Sequence, residues 1–294
     1  MESIVIKNHK ITSSIPNDFT FENQILTIPK NNQYQDPIKI TLEDDNNEEL
    51  TIVVSENTSI KIILEIASQD LNENKYKLNL IAKENSKVKY LLVSELESKK
   101  ALLDHYFTAE RYASLNLIGG FVSNVIDAKM HVDLVGEGAE VNMRAIALSS
   151  DNHIQNIDVL IVHKAPNTYG NMTNIGIANK SGKIILNGVE KIEKGMKNAN
   201  AFQTLKGIIT SDKAVVEVNP ILLIDEYDVK AGHGATIGKI EEEQLYYIQS
   251  RGLTRAEAEK LIINGFLQPI IDEIDDEPLR ERFVSLVNSR IWLM

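Results

Sequence analysis

Residues 225–253 read DEYDVKAGHGATIGKIEEEQLYYIQSRGL. Before this stretch the chain is almost all strand-like; after it the chain is almost all helix-like. His233, with glycine on both sides, stands at the changeover. Gly232, Gly234 and Gly238 admit backbone shapes that other residues resist, including positive φ, and let another chain approach closely. Glu241, Glu242 and Glu243 then open a helix, where negative charge suits the free N–H groups and the macrodipole. Chemistry alone leaves two readings open. One is a Gly-rich turn with a solvated histidine; the other is a working histidine at a boundary.

Toward the N-terminus, from Thr51 onward, the texture is uniform. TIVVSEN, KYKLNLIAKEN, SKVKYLLVSEL, AEVNMRAIALSS and HIQNIDVLIVHKAP are short, rich in Val, Ile and Leu, and alternate between faces. Val88, Tyr90 and Leu92 share one face, as do Val141, Met143, Ala145 and Ala147. Asn, Gly, Asp and Ser punctuate the joins. A sandwich needs two-residue hairpin turns, and Asn187-Gly188 is the main such signal. Stacked short strands with turns of variable length fit a solenoid better, which favours a β-helix. Residues 1–50 read as a short polar segment broken by Pro16, Pro29 and Pro37, with strand-like FTFENQILTI and IKITLEDD. The acidic run Glu43, Asp44, Asp45, Glu48 and Glu49 reads as a solvated loop. The expected organisation is therefore residues 1–50, a mainly β core over 51–240 and a small α-helical domain over 241–294.

Toward the C-terminus, the first helix stops near Arg251-Gly252. Thr254 and Glu257 have the spacing of a capping box. The helix they open carries Ala258, Leu261, Ile262 and Phe266, and Pro269 should kink or end it. Another helix starts near Asp276, with Pro278 in its first turn and Leu279, Phe283, Leu286 and Val287 on its apolar face. So small a bundle must lean on the β domain, on a partner, or on both.

Composition limits the function. The net charge of −11 disfavours nucleic acid as a partner. The chain has no cysteine, so it supplies no thiolate ligand, disulfide or Cys nucleophile. No apolar run is long enough to span a bilayer and MESIVIKNHK lacks a signal-peptide core, which points to the cytoplasm. There is no P-loop motif, and Gly119-Gly120 reads as a turn. His131, His153 and His163 share no metal-site spacing and read as structural. Asp158 and Glu190 are isolated carboxylates with no partner that can be placed from sequence. That weakens, without removing, the reading of a β-helix carbohydrate-active enzyme.

The linked runs DVKAGHGATIG and EQLYYIQSRGLTRAEAEKLIINGF resemble the SufB/SufD family, on its SufD side. The likeness is strong over residues 182–274 and continues more softly back to about residue 85; HKAPNTYGNM, residues 163–172, also fits. The resemblance implies a right-handed parallel β-helix with a helical C-terminal domain. It implies a non-enzymatic scaffold that pairs with a SufB-like subunit, binds the SufC ATPase through its C-terminal helices, and helps build iron–sulfur clusters for apo-proteins. A SufB cysteine implicated in cluster building matches Leu205 here, and a SufB glutamate beside the family histidine matches Gly234. Both departures argue against a SufB role. The SufD-type interface histidine matches His233, a candidate ligand for transient iron or a cluster edge at the subunit interface; no cofactor is expected on the chain alone. Leu245, Tyr246, Arg251, Leu261 and Phe266 are the expected partner-binding residues. Larger SufD proteins carry an N-terminal helical region, and residues before Thr51 look strand-like instead. A homodimeric minimal scaffold with SufC is the alternative within the family.

Overall fold

The computed structural model describes residues 2–43, 47–68, 72–272, 274 and 277–292. Six strands open the chain: β1 (Glu2–Lys7), β2 (Lys10–Ile11), β3 (Thr20–Glu22), β4 (Ile25–Ile28), β5 (Ile38–Glu43) and β6 (Asn47–Val54). Seven follow: β7 (Ser59–Ser68), β8 (Glu73–Ala82), β9 (Lys87–Leu96), β10 (Lys100–Ala109), β11 (Ser114–Phe121), β12 (Ile126–Leu134) and β13 (Glu140–Ser149). The last six are β14 (Ile154–His163), β15 (Tyr169–Ala178), β16 (Lys183–Ile192), β17 (Asn200–Ile209), β18 (Val215–Ile224) and β19 (Lys230–Lys239). Three helices close the chain: α1 (Glu242–Gln249), α2 (Arg255–Ile271) and α3 (Glu277–Trp292).

From β5 onward, successive strands alternate between two sheets, and each strand pairs in parallel with the strand two places on. This is a parallel β-solenoid of about seven turns. Sheet A holds ten strands and ends at β19; sheet B holds nine and ends at β18. Strand alternation sends every second side chain into the lumen between the sheets. One lumen-facing row runs Ile62, Tyr90, Leu117, Met143, Met172, Gln203 and His233. The buried members of such rows form the main apolar core.

The joins explain why hairpin signals are scarce. At one corner of the solenoid most turns carry a residue at positive φ: Asn57, Asn85, Tyr112, Gly138, Asn167, and Gly195 together with Asn198. Asparagine tolerates this conformation better than most residues. Its amide also stacks between turns: Asn85 Nδ2 donates to Asn57 Oδ1 (3.2 Å) and Asn198 Nδ2 donates to Asn167 Oδ1 (3.1 Å). Asn187-Gly188, the hairpin candidate, lies inside β16. Gly119-Gly120 lies inside β11 and is not a turn. At Gly120 a Cβ would sit 2.4 Å from a ring carbon of Phe283, so the missing side chain is what seats α3.

Two expectations about boundaries change. The sheets extend across residue 50, because β1 and β4 pair in parallel with β5 and β6. Alternating apolar residues Ile4, Ile6, Leu26, Ile28 and Ile40 join the lumen core despite the polar overall composition there. Asp44 and Asp45 of the expected loop, and the helix start near Asp276, lie outside the described residues. Glu48, assigned to that loop, is instead buried in β6 with Oε1 2.6 Å from His9 Nδ1.

The helices cover the outer face of sheet A. Ile263, Leu267, Ile271, Phe283 and Val287 pack on Ile118, Val122, Ile146, Leu148 and Ile175. The expected α2 face differs: Leu261 and Phe266 are exposed, and Ile263 and Leu267 face the sheet. The capping box forms as expected. Thr254 N–H donates to Glu257 Oε2 (2.8 Å) and Glu257 N–H donates to Thr254 Oγ1 (3.3 Å). Gly252 adopts positive φ (97°) after α1, and α2 runs two residues past Pro269 to Ile271. The side chains of Leu279 and Leu286 lie outside the described residues.

Candidate functional site

The two ends of the solenoid are built differently. At the N-terminal end the outermost strands are β2 and β3, of two and three residues, each turned back antiparallel on its neighbour. Short edge strands of this kind are poor templates for further pairing. At the C-terminal end the outermost strands are β18 and β19, each ten residues long and each with a neighbour on one side only. Such an edge carries a row of unpaired N–H and C=O groups.

Parity tells which groups are free. Lys230 N–H donates to Ala199 O, the residue just before β17, so Lys230 and alternate residues after it bond inward along sheet A. Ala231, His233, Ala235, Ile237 and Lys239 therefore turn their backbone groups to the open edge. The side chains of His233 and Ala235 continue the lumen-facing rows of Gln203 and Leu205. His233 thus sits exposed at the mouth of the lumen. Gly232, Gly234 and Gly238 are part of an ordinary extended strand and none has positive φ. Nothing lies within 4 Å of a Cβ built at Gly234 or Gly238, so that face is bare. Ile221, Leu223 and Ile237 add exposed apolar surface beside the two edges.

The family profile described as "SUF system FeS cluster assembly, SufBD core domain" matches residues 40–266. The chain belongs to the SufBD core family. Among relatives, the iron–sulfur cluster assembly protein SufD of Bacillus subtilis (strain 168) is 28% identical over 304 residues, covering 99% of this chain and 69% of that protein. An iron–sulfur cluster assembly SufBD family protein of Mycobacterium tuberculosis (strain ATCC 25618 / H37Rv) is 27% identical over 202 residues, 68% of this chain and 24% of that protein. Another, from Staphylococcus epidermidis (strain ATCC 12228), is 30% identical over 144 residues, 49% of this chain and 31% of that protein. The chain thus spans about two thirds of the first relative and a quarter to a third of the others.

Within this SufBD core chain, Leu205 is fully buried in the lumen wall, in register with Ala235 and two positions along from the Gln203–His233 pair. Of the expected partner-binding residues, Leu245 is 1% exposed and is the buried residue of α1, so it is not available to a partner. Tyr246 (75%), Leu261 (54%) and Phe266 (39%) are exposed. Leu261 and Phe266, five residues apart, are separated by about 140° around the helix and do not share one face. Arg251 lies over the Tyr247 ring, 4.7 Å from its centroid, and donates to the Tyr247 hydroxyl. Arg255 clamps both Glu242 oxygens (3.0 and 2.7 Å), fixing α1 against α2.

Other candidates resolve as structural. His131 bonds to Asp133 through Nε2 (2.9 Å). On the outer face of sheet B, Asn187 Nδ2 donates to Asp158 Oδ1 (2.6 Å) and Asn156 Nδ2 donates to Asp127 Oδ1 (2.5 Å). These carboxylates serve ladders between turns. Among the described residues no group of three or more His, Asp or Glu side chains is placed to hold a metal.

Glu190 is not isolated, contrary to its reading from sequence. It points into the lumen, where His163 Nε2 lies 4.0 Å from its Oε2, and both side chains are fully buried. Burial pushes the Glu190 carboxyl up to about 9 and the His163 imidazole down to about 4. Both are neutral near pH 7. An unfolded glutamate ionises near 4.5, so between that value and about 9 the folded chain binds the extra proton. Stability from this group is therefore lost as pH rises through that window. From about pH 7 to about pH 9, the unmodified chain should lose up to about 1.4 kcal/mol per pH unit relative to Glu190→Gln. Urea denaturation at fixed pH values measures this; parallel stability curves for the two proteins would refute it.

Proposed function

We propose that this chain is a scaffold subunit of an iron–sulfur cluster assembly complex. It pairs through the open C-terminal edges of its β-solenoid with a SufB-like subunit and offers its exposed helical surface to a SufC-like ATPase. The observation that carries this reading is the contrast between a protected N-terminal end and two long free edges at the other. His233 stands at the lumen mouth between those edges. A chain without cysteine provides no thiolates, so they come from the partner, and His233 supplies a neutral nitrogen donor to iron passing through as cargo. Tyr246, Leu261 and Phe266 are available to the ATPase because sheet A is satisfied by a different set of helical residues.

The test is to mix the chain with SufB-like and SufC-like proteins and measure mass by light scattering and iron per complex. A three-component complex is expected, with ATPase retention weakened by Tyr246→Ala. His233→Ala should leave the mass unchanged and lower the iron content. A chain that stays alone would reject the pairing. A complex of two copies of this chain with the ATPase would select the self-paired scaffold instead. Equal iron in both versions would reject the ligand role of His233.

A further inference from the structure

The last corner of the solenoid, between β18 and β19, ends unfinished. Earlier along that corner, asparagine amides donate to the asparagine one turn before: Asn57 Nδ2 to Asn31 Oδ1 (3.0 Å), Asn85 to Asn57, and Asn198 to Asn167. Asn198 Oδ1 is left for a further donor. The next turn brings Asp228, whose backbone C=O accepts the Asn198 N–H (2.7 Å) but whose side chain has no amide to give. A hollow of about 210 Å3 lies there, lined by Asn198, Ala199, Asn200, Asp228, Val229 and Lys230.

Next to it the chain holds out an aromatic ring. Tyr227, the residue before Asp228, is fully exposed (102%). Its loop is held firmly all the same. The Glu226 carboxylate accepts from the N–H groups of Gly195 (2.9 Å), Tyr227 (2.9 Å) and Asp228 (3.3 Å). Those donors hold the Glu226 carboxyl below its usual range, so it stays charged. A ring fully in water contributes no burial to this chain's own core. An aromatic side chain on a pre-ordered backbone is the kind of group that anchors a protein interface, because little ordering is left to be done on binding.

The surroundings say what such an anchor would take. Asp225, Glu226 and Asp228 flank the ring, with Lys197 and Lys230 close by. Elsewhere this chain sets arginine on tyrosine. Tyr112, at the same corner of an earlier turn, has the Arg111 guanidinium 5.0 Å from its ring centroid, and Arg251 lies over Tyr247 in α1. A guanidinium is drawn to the tyrosine face by the ring quadrupole, and its planar fork of N–H donors suits carboxylate and amide oxygens. The Asp228 carboxylate and Asn198 Oδ1 are oxygens of those two kinds.

We propose that this corner is a receptor for an arginine of the SufB-like subunit that closes the open end, its guanidinium stacking on Tyr227 and donating to Asp228 and Asn198 Oδ1. The inference rests on the pairing proposed above and adds a chemical requirement on the partner: an arginine-bearing segment at its rim. An open strand edge accepts any extended chain, because it offers only backbone groups. The corner supplies selection, and since β19 begins at Lys230 it grips the partner at the start of that edge.

The test has two arms. In the first, the full chain alone is titrated with N-acetyl-arginine amide, and the backbone amide shifts of Asn198, Tyr227 and Asp228 are followed by NMR. Saturable shifts are expected, at least about threefold weaker in affinity with N-acetyl-lysine amide, which lacks the planar fork. They should vanish in Tyr227→Ala and persist in His233→Ala. In the second, calorimetry measures affinity for the SufB-like subunit. Tyr227→Ala should lower it at least about tenfold. Asp228→Asn should lower it about threefold to tenfold and flatten its salt dependence. Both residues are exposed, and circular dichroism confirms that each variant keeps its β structure. An arginine probe that leaves the corner unshifted, or a Tyr227→Ala chain that pairs as tightly as the unmodified one, overturns the receptor. If the chain pairs with no SufB-like subunit, the pairing reading falls by itself, and the probe titration alone decides whether the corner takes a guanidinium.

Discussion

Ala235→Pro is expected to leave the chain folded and to weaken the proposed pairing with a SufB-like subunit. Ala235 lies on the outermost strand of sheet A, and its N–H points away from β17 toward the open edge. Proline there removes no hydrogen bond inside the chain, and edge strands tolerate it for that reason. Gly234 precedes it and eases the restriction that proline places on the residue before. At an interface built by joining strands, however, the missing donor leaves a partner carbonyl unsatisfied, at about 1–3 kcal/mol. The ring also occupies the place where the partner strand must lie. Affinity should therefore fall by roughly tenfold to a hundredfold or more. Light scattering and titration calorimetry with the SufB-like partner measure the loss, and circular dichroism and thermal melting check the fold. Unchanged affinity in a folded variant would mean that this edge is not the pairing surface.

Phe283→Ala should have the largest effect on stability. Phe283 is fully buried between α3 and the outer face of sheet A, with its ring over Gly120. Truncating a buried phenylalanine to alanine costs about 3–5 kcal/mol. Polar contacts anchor the same helix: Arg282 Nη1 lies 2.8 Å from Glu65 Oε1, and Glu65 is also held by Lys39 at 2.8 Å. Those contacts alone do not replace the apolar seat. The expected result is loss of hydrogen-exchange protection across residues 277–292, with the strands β9 to β17 still protected. Exposure of Ile118, Ile146 and Ile175 should follow, visible as dye binding or aggregation. The same logic predicts that a chain cut after Ile240 would expose this face, so point variants at Tyr246 or Phe266 are the cleaner probes of ATPase docking. A shift below about 1 kcal/mol, or unchanged exchange in α3, would show that the helix is held elsewhere.

Much of the architecture was legible in the chain. The alternation in KVKYLLVS and EVNMRAIAL correctly placed Val88, Tyr90 and Leu92, and Val141, Met143 and Ala145, toward one core. The capping box at Thr254 and the glycine stop at Gly252 were local chemistry, and both formed as written. A further signal lies in the sequence: an asparagine recurs at the same corner, in ENTS, ENSK and PNTY, once in many of the turns. That spacing gives the repeat of the solenoid and shows that residues 31 and 57 already belong to it.

Sequence by itself determined which segments are strands and which are helices, where the change comes, and the family to which the chain belongs. Each follows from local periodicity, capping and a long linked motif. Only the tertiary structure decided which residues meet. His163 and Glu190 are brought to 4.0 Å by the lateral pairing of β14 with β16, and Phe283 reaches Gly120 across most of the chain. Strand parity is a local property, but register between turns depends on the length of every intervening corner. Side-chain bonds between successive turns accordingly join residues 27 positions apart at Lys100–Glu73 and 32 apart at Asn219–Asn187. The same dependence placed His233 at the open mouth and buried Leu245, because exposure is set by what stands next to a strand or helix and not by the residue type it carries.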